Sequence, residues 1–351
     1  MKKATLTRQW VRDIDGFANI GDDERQARVY RRDPNRAYKE GFQEFRFLAV
    51  PHTIKGKVWE VHPNVNLYAD MTGRCTGDCG FCIAKVAYER PEIDSQSYYR
   101  AAERAIALLR ETGISIQVTG GEPGLSPCFA DIIDLIDSCR VNRPVLNTNG
   151  SSLTSKVIDR LNSSTFEHIN ISRHHWDERR AEQIMKRRPP LSNGELGGRI
   201  KDLRVQVRMQ CNLIAGEMDS ADAVLRYIDR WRAVGVREFA FAELTPLPRG
   251  EYYRDEIIDF VEAHPVDIVP IIETLTRNCG WRFLKFRGGV ACYYEIWSWR
   301  DCLILFKRSN NWWLSYIDSM PGLIADFVLH TDGTLAGSWD KAVKVIERRR
   351  K

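Results

Sequence analysis

From about residue 64 the chain switches between two hydrophobic periods. Residues 64–70 alternate, with Val65, Leu67 and Ala69 on one face and Asn66, Tyr68 and Asp70 on the other, the period of a strand. Residues 114–119 repeat this, with Ile114, Ile116 and Val118 set against Ser115, Gln117 and Thr119. Phe129, Ile132, Ile133 and Ile136 then fall at the i, i+3, i+4, i+7 spacing of a helix lying on a sheet. The longest alternation is 203–214, where Val205, Val207, Met209, Cys211 and Leu213 face away from Gln206, Arg208, Gln210 and Asn212. Strands are predicted at 64–70, 114–119, 144–149, 166–172, 203–214 and 237–244. Helices are predicted between them, near 94–110, 129–136, 153–161, 176–185 and 220–233.

Six strand–helix units in a row imply a parallel sheet with helices outside it. A parallel sheet buried on both faces reads as continuous apolar runs, yet here several strands keep one polar face. The pattern therefore predicts an α/β fold: a partial, open (β/α)6 TIM-like barrel whose concave side lines a polar cavity. Beyond residue 246 the style changes. Trp281, Phe283, Phe286, Tyr293, Tyr294, Trp297 and Trp299 crowd one stretch, and Thr331-Asp332-Gly333-Thr334 reads as a turn. The expected organisation is an N-terminal extension (1–60), the barrel (61–246) and a smaller C-terminal α+β module (247–351) covering the substrate. In the extension, Arg28, Arg31, Arg32, Arg36 and Lys39 surround Pro34 and read as a solvated face with one short helix.

Composition narrows the class. The 351 residues are 43% hydrophobic and 28% charged, an ordinary globular mixture. No apolar run approaches the length of a membrane span. The first residues lack the apolar core of a signal peptide, so the expected compartment is the cytoplasm. Nine cysteines in such a chain point to metal binding or burial rather than disulfides. The net charge of +5 suits an anionic substrate or an acidic protein partner and does not point to nucleic acid.

The chemistry concentrates in Cys75-Thr76-Gly77-Asp78-Cys79-Gly80-Phe81-Cys82, directly after the first strand. Thiolates ligate iron–sulfur clusters, and three of them leave one iron of a [4Fe–4S] cube open. A closed structural zinc site is the bland alternative. It wants four ligands, and no His or Cys follows at finger spacing.

C-x3-C-x2-C after a strand, with an aromatic before the last cysteine, resembles the signature of the radical S-adenosylmethionine (SAM) superfamily. The resemblance covers about residues 64–245. It implies one [4Fe–4S] cluster on Cys75, Cys79 and Cys82, and SAM as its partner. Thr119-Gly120-Gly121-Glu122-Pro123 resembles the family's GGE motif, which implies that Gly120, Gly121 and Glu122 hold the amino group of SAM's methionine moiety. Asn147-Thr148-Asn149-Gly150 resembles the T-N-G segment of the branch containing the molybdenum-cofactor cyclase and the SPASM and twitch enzymes; an ordinary turn is the other reading of it. By the same resemblance Thr148, Asn149, Ser172 and Arg208 contact SAM, and Phe81 contacts its adenine. A structural ion pair is the alternative for Arg208. The family's glycine-rich adenine motif on the sixth strand is absent around residues 241–244. The implied reaction is reductive cleavage of SAM to a 5′-deoxyadenosyl radical that abstracts hydrogen from a substrate.

Substrate contacts are less determined. Ser172-Arg173-His174-His175-Trp176-Asp177 places Arg173, His174 and His175 where they would bind an anionic group or relay a proton; the alternative is a cap for the next helix. Lys285 and Arg287 would add charge if the C-terminal module covers the barrel mouth. Cys279, Cys292 and Cys302 do not reproduce the dense cysteine spacing of a SPASM domain, so an auxiliary cluster is not expected. The expected substrate is a small anionic metabolite such as a nucleotide or nucleotide sugar, with a ribosomally made peptide as the alternative. A non-catalytic iron–sulfur sensor is the alternative from another class. A flavodoxin or ferredoxin is the expected electron donor, for which Arg348-Arg349-Arg350-Lys351 offers a basic dock.

Overall fold

The computed structural model describes residues 20–62, 65–85, 92–250, 252–277 and 280–348. Helices α1 (Glu24–Arg32) and α2 (Pro34–Leu48) precede a hairpin, Val50–Ile54 with Lys57–Val61. The barrel then alternates β1 (Asn66–Asp70), α3 (Ser95–Leu109), β2 (Ser115–Thr119), α4 (Phe129–Cys139), β3 (Asn142–Thr148), α5 (Ser155–Asn162) and β4 (His168–Ser172). Helices α6 (Glu178–Met185) and α7 (Asn193–Asp202) lead to β5 (Gln206–Leu213), α8 (Ala221–Arg232) and β6 (Glu238–Glu243). After α9 (Asp255–Ala263) and α10 (Ile268–Thr276) come β7 (Trp281–Gly288), β8 (Cys292–Trp299) and β9 (Cys302–Ser309). The chain ends with α11 (Trp312–Asp318), β10 (Phe327–Leu329), β11 (Leu335–Ala336) and β12 (Val345–Glu347).

Strands β1 to β6 pair in parallel and in sequence order, as the six alternating units require. The aromatic stretch is an antiparallel meander, β7–β8–β9, as its pattern predicts. It joins the barrel through a parallel pairing of β9 with β6. At the other edge β10 lies parallel to β1, so one thirteen-stranded sheet runs through barrel and meander alike.

Alternation decides which side is wet. Leu67, Ile116, Val118, Ile169, Ile171, Met209 and Phe239 are buried under the helices, while their polar neighbours Tyr68, Gln117, Asn170 and Gln210 line a central cavity. Sequence and structure agree at the level that matters most: the polar face is the concave face. The outer helices start where polar side chains satisfy free N–H groups, with Asp94 capping α3, Thr154 capping α5 and Ser220 capping α8.

Two expectations are corrected. Instead of one short helix on a solvated face, residues 24–48 form two helices, started by Asp23 and by Asp33-Pro34. Arg28, Arg32 and Arg36 do stay at the surface. Ala27, Tyr30 and Arg31, however, fall on one side of α1 and bury against Phe286 and Tyr293 of the meander. Arg31 pairs with the buried Glu295 of β8 at 2.7 Å. Helix α7 was also missing from the pattern, because Gly194, Gly197 and Gly198 depress its propensity. Its legible signal was the capping box of Ser192 and Glu195.

Candidate active site: the cavity beneath the cysteine loop

A cavity of about 830 Å³ occupies the concave side of the sheet. Cys75, Cys79 and Cys82 open onto it, together with Phe81, Gly120, Gly121, Thr148, Asn149, Ser172, His174 and Arg208. The structure therefore brings the three cysteines together with most of the residues the resemblance points to. Apart from Arg208, which sits near the start of β5, these residues come from the loops after β1 and β2 and from the ends of β3 and β4, the C-terminal side on which barrels carry their chemistry.

The cysteine loop is pinned rather than floppy. Asp78 N–H donates to Met185 O at 2.8 Å, and Arg188 N–H donates to Thr76 O at 2.8 Å, so the end of α6 underpins the loop. Asn149 reaches it from β3, its Nδ2 lying 3.0 Å from Thr76 Oγ1 and 3.5 Å from Cys75 Sγ. A Cβ on Gly80 would fall 2.5 Å from the Phe260 ring, so any larger residue there has to displace that ring.

Burial pushes the Cys79 thiol well above the usual range, and the neighbouring Cys82 and Cys75 sulfurs push it further. Burial raises Cys75 as well. Three mutually repelling sulfurs at one cavity wall fit a cationic iron–sulfur cluster, which would hold all three as thiolates. Among the described residues, no group of three or more His, Cys, Asp or Glu side chains is placed to hold a single metal ion.

The segment 120–122 ties the end of β2 to the cysteine loop. A Cβ on Gly121 would sit 2.1 Å from Arg74 O, so the glycine permits β2 to end against the chain entering Cys75. Gly121 N–H donates to Thr72 O and Glu122 N–H to Arg74 O, at 2.6 and 2.8 Å. Glu122 is fully buried, and its carboxylate is engaged by Thr148 Oγ1 (2.5 Å), Asn149 N–H (2.8 Å) and the Ser152 hydroxyl. Burial still raises its carboxyl above the usual value. The Glu122 carboxylate fixes the 148–152 turn against the cysteine loop.

The rim triplet is also corrected. Arg173 is fully buried, donating to Glu182 at 2.6 Å and to Leu191 O at 3.1 Å. His175 Nδ1 accepts from Asp177 N–H at 2.8 Å, and its ring leans on Trp176, which is the helix-cap alternative. Only His174 reaches the cavity. It sits edge-on to Phe81 and accepts Asn212 N–H at 3.0 Å through Nδ1. Burial, helped by the Arg173 charge, lowers its pKa to about 3. It is neutral near pH 7 and offers an Nε2–H donor, not a cation.

Arg208 fulfils its structural alternative, pairing with buried Glu238 at 3.2 Å, while still facing the cavity. Asn170 is a lining residue that the sequence motifs do not single out. Asn170 Nδ2 donates to Asn147 Oδ1 at 2.8 Å, and Asn147 Nδ2 to Gln117 Oε1 at 3.3 Å, a polar ladder across three strands. Asn170 Oδ1 is buried with no donor among the described residues, an acceptor aimed at a ligand space. Alternation of the strands was the signal that could have found Asn170. Below the loop, buried Arg187 shares the half-buried Glu182 with Arg173 and donates to Asn149 O at 2.9 Å.

In the meander, Arg287 lines the cavity but Lys285 does not. Cys292 opens onto the cavity, whereas Cys302 is buried at the far end of the β8–β9 hairpin, where it pairs with Trp299. Cys279, Arg349, Arg350 and Lys351 lie outside the described residues.

A three-thiol loop after the first barrel strand, facing a polar cavity, defines the class, and the comparisons agree. Residues 70–193 match the sequence model of the Radical SAM superfamily. PqqA peptide cyclase of Gluconobacter oxydans (strain 621H) is 28% identical over 127 residues, which are 35% of this chain and 34% of that protein. The chain thus spans about a third of the length of the curated relative it matches. The crystal structure of Streptococcus suis SuiB bound to S-adenosylmethionine superposes with a TM-score of 0.52 at 12% identity. It covers 79% of this chain and 60% of SuiB. A second SuiB crystal structure gives 0.51 over the same shares. These likenesses show the fold, a partial barrel of the radical SAM kind. No described helix is long and apolar enough to cross a membrane.

Proposed function

We propose that the chain is a radical SAM enzyme that cleaves S-adenosylmethionine and abstracts hydrogen from a peptide substrate. The observation that carries the reading is the shared cavity: three cysteines of one loop and the lining residues of β3, β4 and β5 face the same space. When bound at Cys75, Cys79 and Cys82, a [4Fe–4S] cluster supplies the electron that splits a carbon–sulfur bond of SAM. The chain's own residues position and exclude. Gly120, Gly121, Thr148, Asn149, Ser172 and Arg208 line the space beside the loop. Phe81 and His174 form an apolar wall with one N–H donor. Helix α2, through Gly41 and Phe45, and the meander, through Val290 and Tyr294, line the opposite side. A peptide substrate is supported by the name of the curated relative, a peptide cyclase.

A small anionic metabolite is the second reading, favoured by the cationic residues Arg287 and Lys307 on that wall. An acidic flavodoxin or ferredoxin is the proposed electron source, and the cytoplasm the proposed compartment. The test is anaerobic reconstitution followed by SAM and dithionite. Formation of 5′-deoxyadenosine is expected, and a silent assay on protein carrying its cluster would overturn the reading. Deuterium transfer into 5′-deoxyadenosine from a deuterated peptide or metabolite, taken from products of neighbouring genes, separates the two substrates.

A further inference from the structure

We propose that the end of α6 and the segment after it, packed on the outside of the cysteine loop, form the docking face for a small acidic electron-transfer protein. The inference deepens the enzymatic reading above. It rests on a cluster at that loop and says where its electron enters. Electron transfer slows steeply with separation, so a protein donor has to meet the chain where the sulfurs lie under thin cover. The end of α6 is such a place. Met185 O lies 3.8 Å from Cys79 Sγ. A Cβ on Gly77 would sit 3.1 Å from Met185 O and 3.8 Å from Cys75 Sγ. Lys186, the next residue after Met185, is already exposed. One stretch of backbone thus lies between Cys79 Sγ and the surface here. It is tied to the loop by the hydrogen bonds from Asp78 N–H to Met185 O and from Arg188 N–H to Thr76 O.

The charge on this face is one-sided. Arg187 turns inward to Glu182 and Asn149 O, which leaves Lys186 and Arg188 exposed on either side of it. Arg179, seven residues before Lys186, is exposed on the same side of α6. Among the described residues, none of the side chains of Arg179, Lys186 and Arg188 forms an ion pair within 4 Å. Asp78, the exposed carboxylate of the loop itself, is held by Lys85 and also lies in the fields of Lys186 and Arg188. On the far side of the loop, Arg74 is matched by Glu92 at 3.5 Å.

The face therefore keeps a net positive charge, which draws in an acidic partner and turns away a basic one. Transient redox encounters use small interfaces, and three solvated cations beside a thin backbone cover supply attraction and access together. The electron count is simple. Reduced flavodoxin passes from its anionic hydroquinone to the neutral semiquinone by giving up one electron and no proton. The cluster accepts that electron, and SAM is its final acceptor.

The test uses the reconstituted holoenzyme, with a bacterial flavodoxin of net negative charge as the probe. Calorimetric titration should show binding at about 0.02 M ionic strength and a loss of about tenfold or more at about 0.5 M, where screening acts within a few ångström. Arg179→Glu combined with Lys186→Glu should weaken binding about tenfold or more at low salt. With dithionite the same variant should form 5′-deoxyadenosine at the wild-type rate; with limiting flavodoxin hydroquinone it should be slower by the binding loss. Charge reversal at Lys201 and Arg230, exposed near the ends of α7 and α8 that lead into β5 and β6, is the control. It should change binding less than about twofold, since those charges act from a distance. If the glutamates lower iron content, Arg179→Gln with Lys186→Gln is read in their place, with a loss of roughly threefold or more expected. No flavodoxin binding by the wild-type protein, binding indifferent to salt, or equal losses at both pairs of sites overturns the docking face. Cleavage with dithionite but no binding through Arg179 and Lys186 sinks the docking face alone. Such binding by a protein that leaves SAM intact with dithionite sinks the enzymatic reading alone.

Discussion

The cavity has two ends built on opposite principles. At the barrel end, chemistry sits on loops: the cysteine loop and the 120–122 and 148–152 turns, whose glycines let backbones touch and whose polar side chains are knotted by Glu122. At the meander end, Arg287, Tyr294 and Lys307 stand in the middle of regular strands, backed by the buried Arg31–Glu295 pair. Loops are suited to wrapping a compact group from several sides, whereas a flat strand row presents donors at fixed spacing.

Substitutions can separate the two ends. The largest effect is expected for Cys79→Ala, which should abolish both iron retention and 5′-deoxyadenosine formation; full cleavage by that variant would remove the loop from the chemistry. Next comes Arg31→Ala. Breaking a buried pair strands Glu295 without its counterion and should cost about 3–5 kcal/mol in chemical denaturation, with iron at the cysteine loop unchanged. If the iron falls with stability, the two ends are one unit and the contrast is wrong.

Glu122→Ala should cost about 2–4 kcal/mol, because Thr148, Asn149 and Ser152 lose a buried acceptor. Combined with Arg31→Ala, the costs should add to within about 0.5 kcal/mol if the ends are independent. The smallest effect belongs to Asp326→Asn. The folded protein raises this carboxyl from its ordinary 3.8 to about 6. Its protonated form therefore contributes stability that is fully present below about pH 4 and is lost as pH rises through about 6. The variant keeps an acceptor for Asn66. It should flatten the pH dependence of melting between pH 4 and 6, and gain about 1–2 kcal/mol at pH 7.

The sequence was most informative where function and local geometry coincide. C-x3-C-x2-C fixes sulfur spacing along the chain itself, and alternation along 203–214 fixes which side of β5 is wet, so both could be read without a partner strand. Arg31 could not. Its burial depends on Glu295, which lies 264 residues away, and a charge run around Pro34 gives no hint of that pairing. The row of Arg287, Tyr294 and Lys307 was hidden for the same reason, since only the register of two hairpins aligns them. Arg173 and His175 misled because adjacent residues at a strand end point in different directions. His174 faces the cavity, while Arg173 turns under α6 and His175 accepts the N–H of Asp177, the residue that caps α6.

The proposed chemistry depends most on an iron left open at the three-cysteine loop, and electron paramagnetic resonance reads that directly. Anaerobically purified protein, reduced with dithionite, should show a [4Fe–4S]+ signal whose g-values shift when SAM is added. A signal indifferent to SAM, or a loop holding zinc in place of iron, would contradict it.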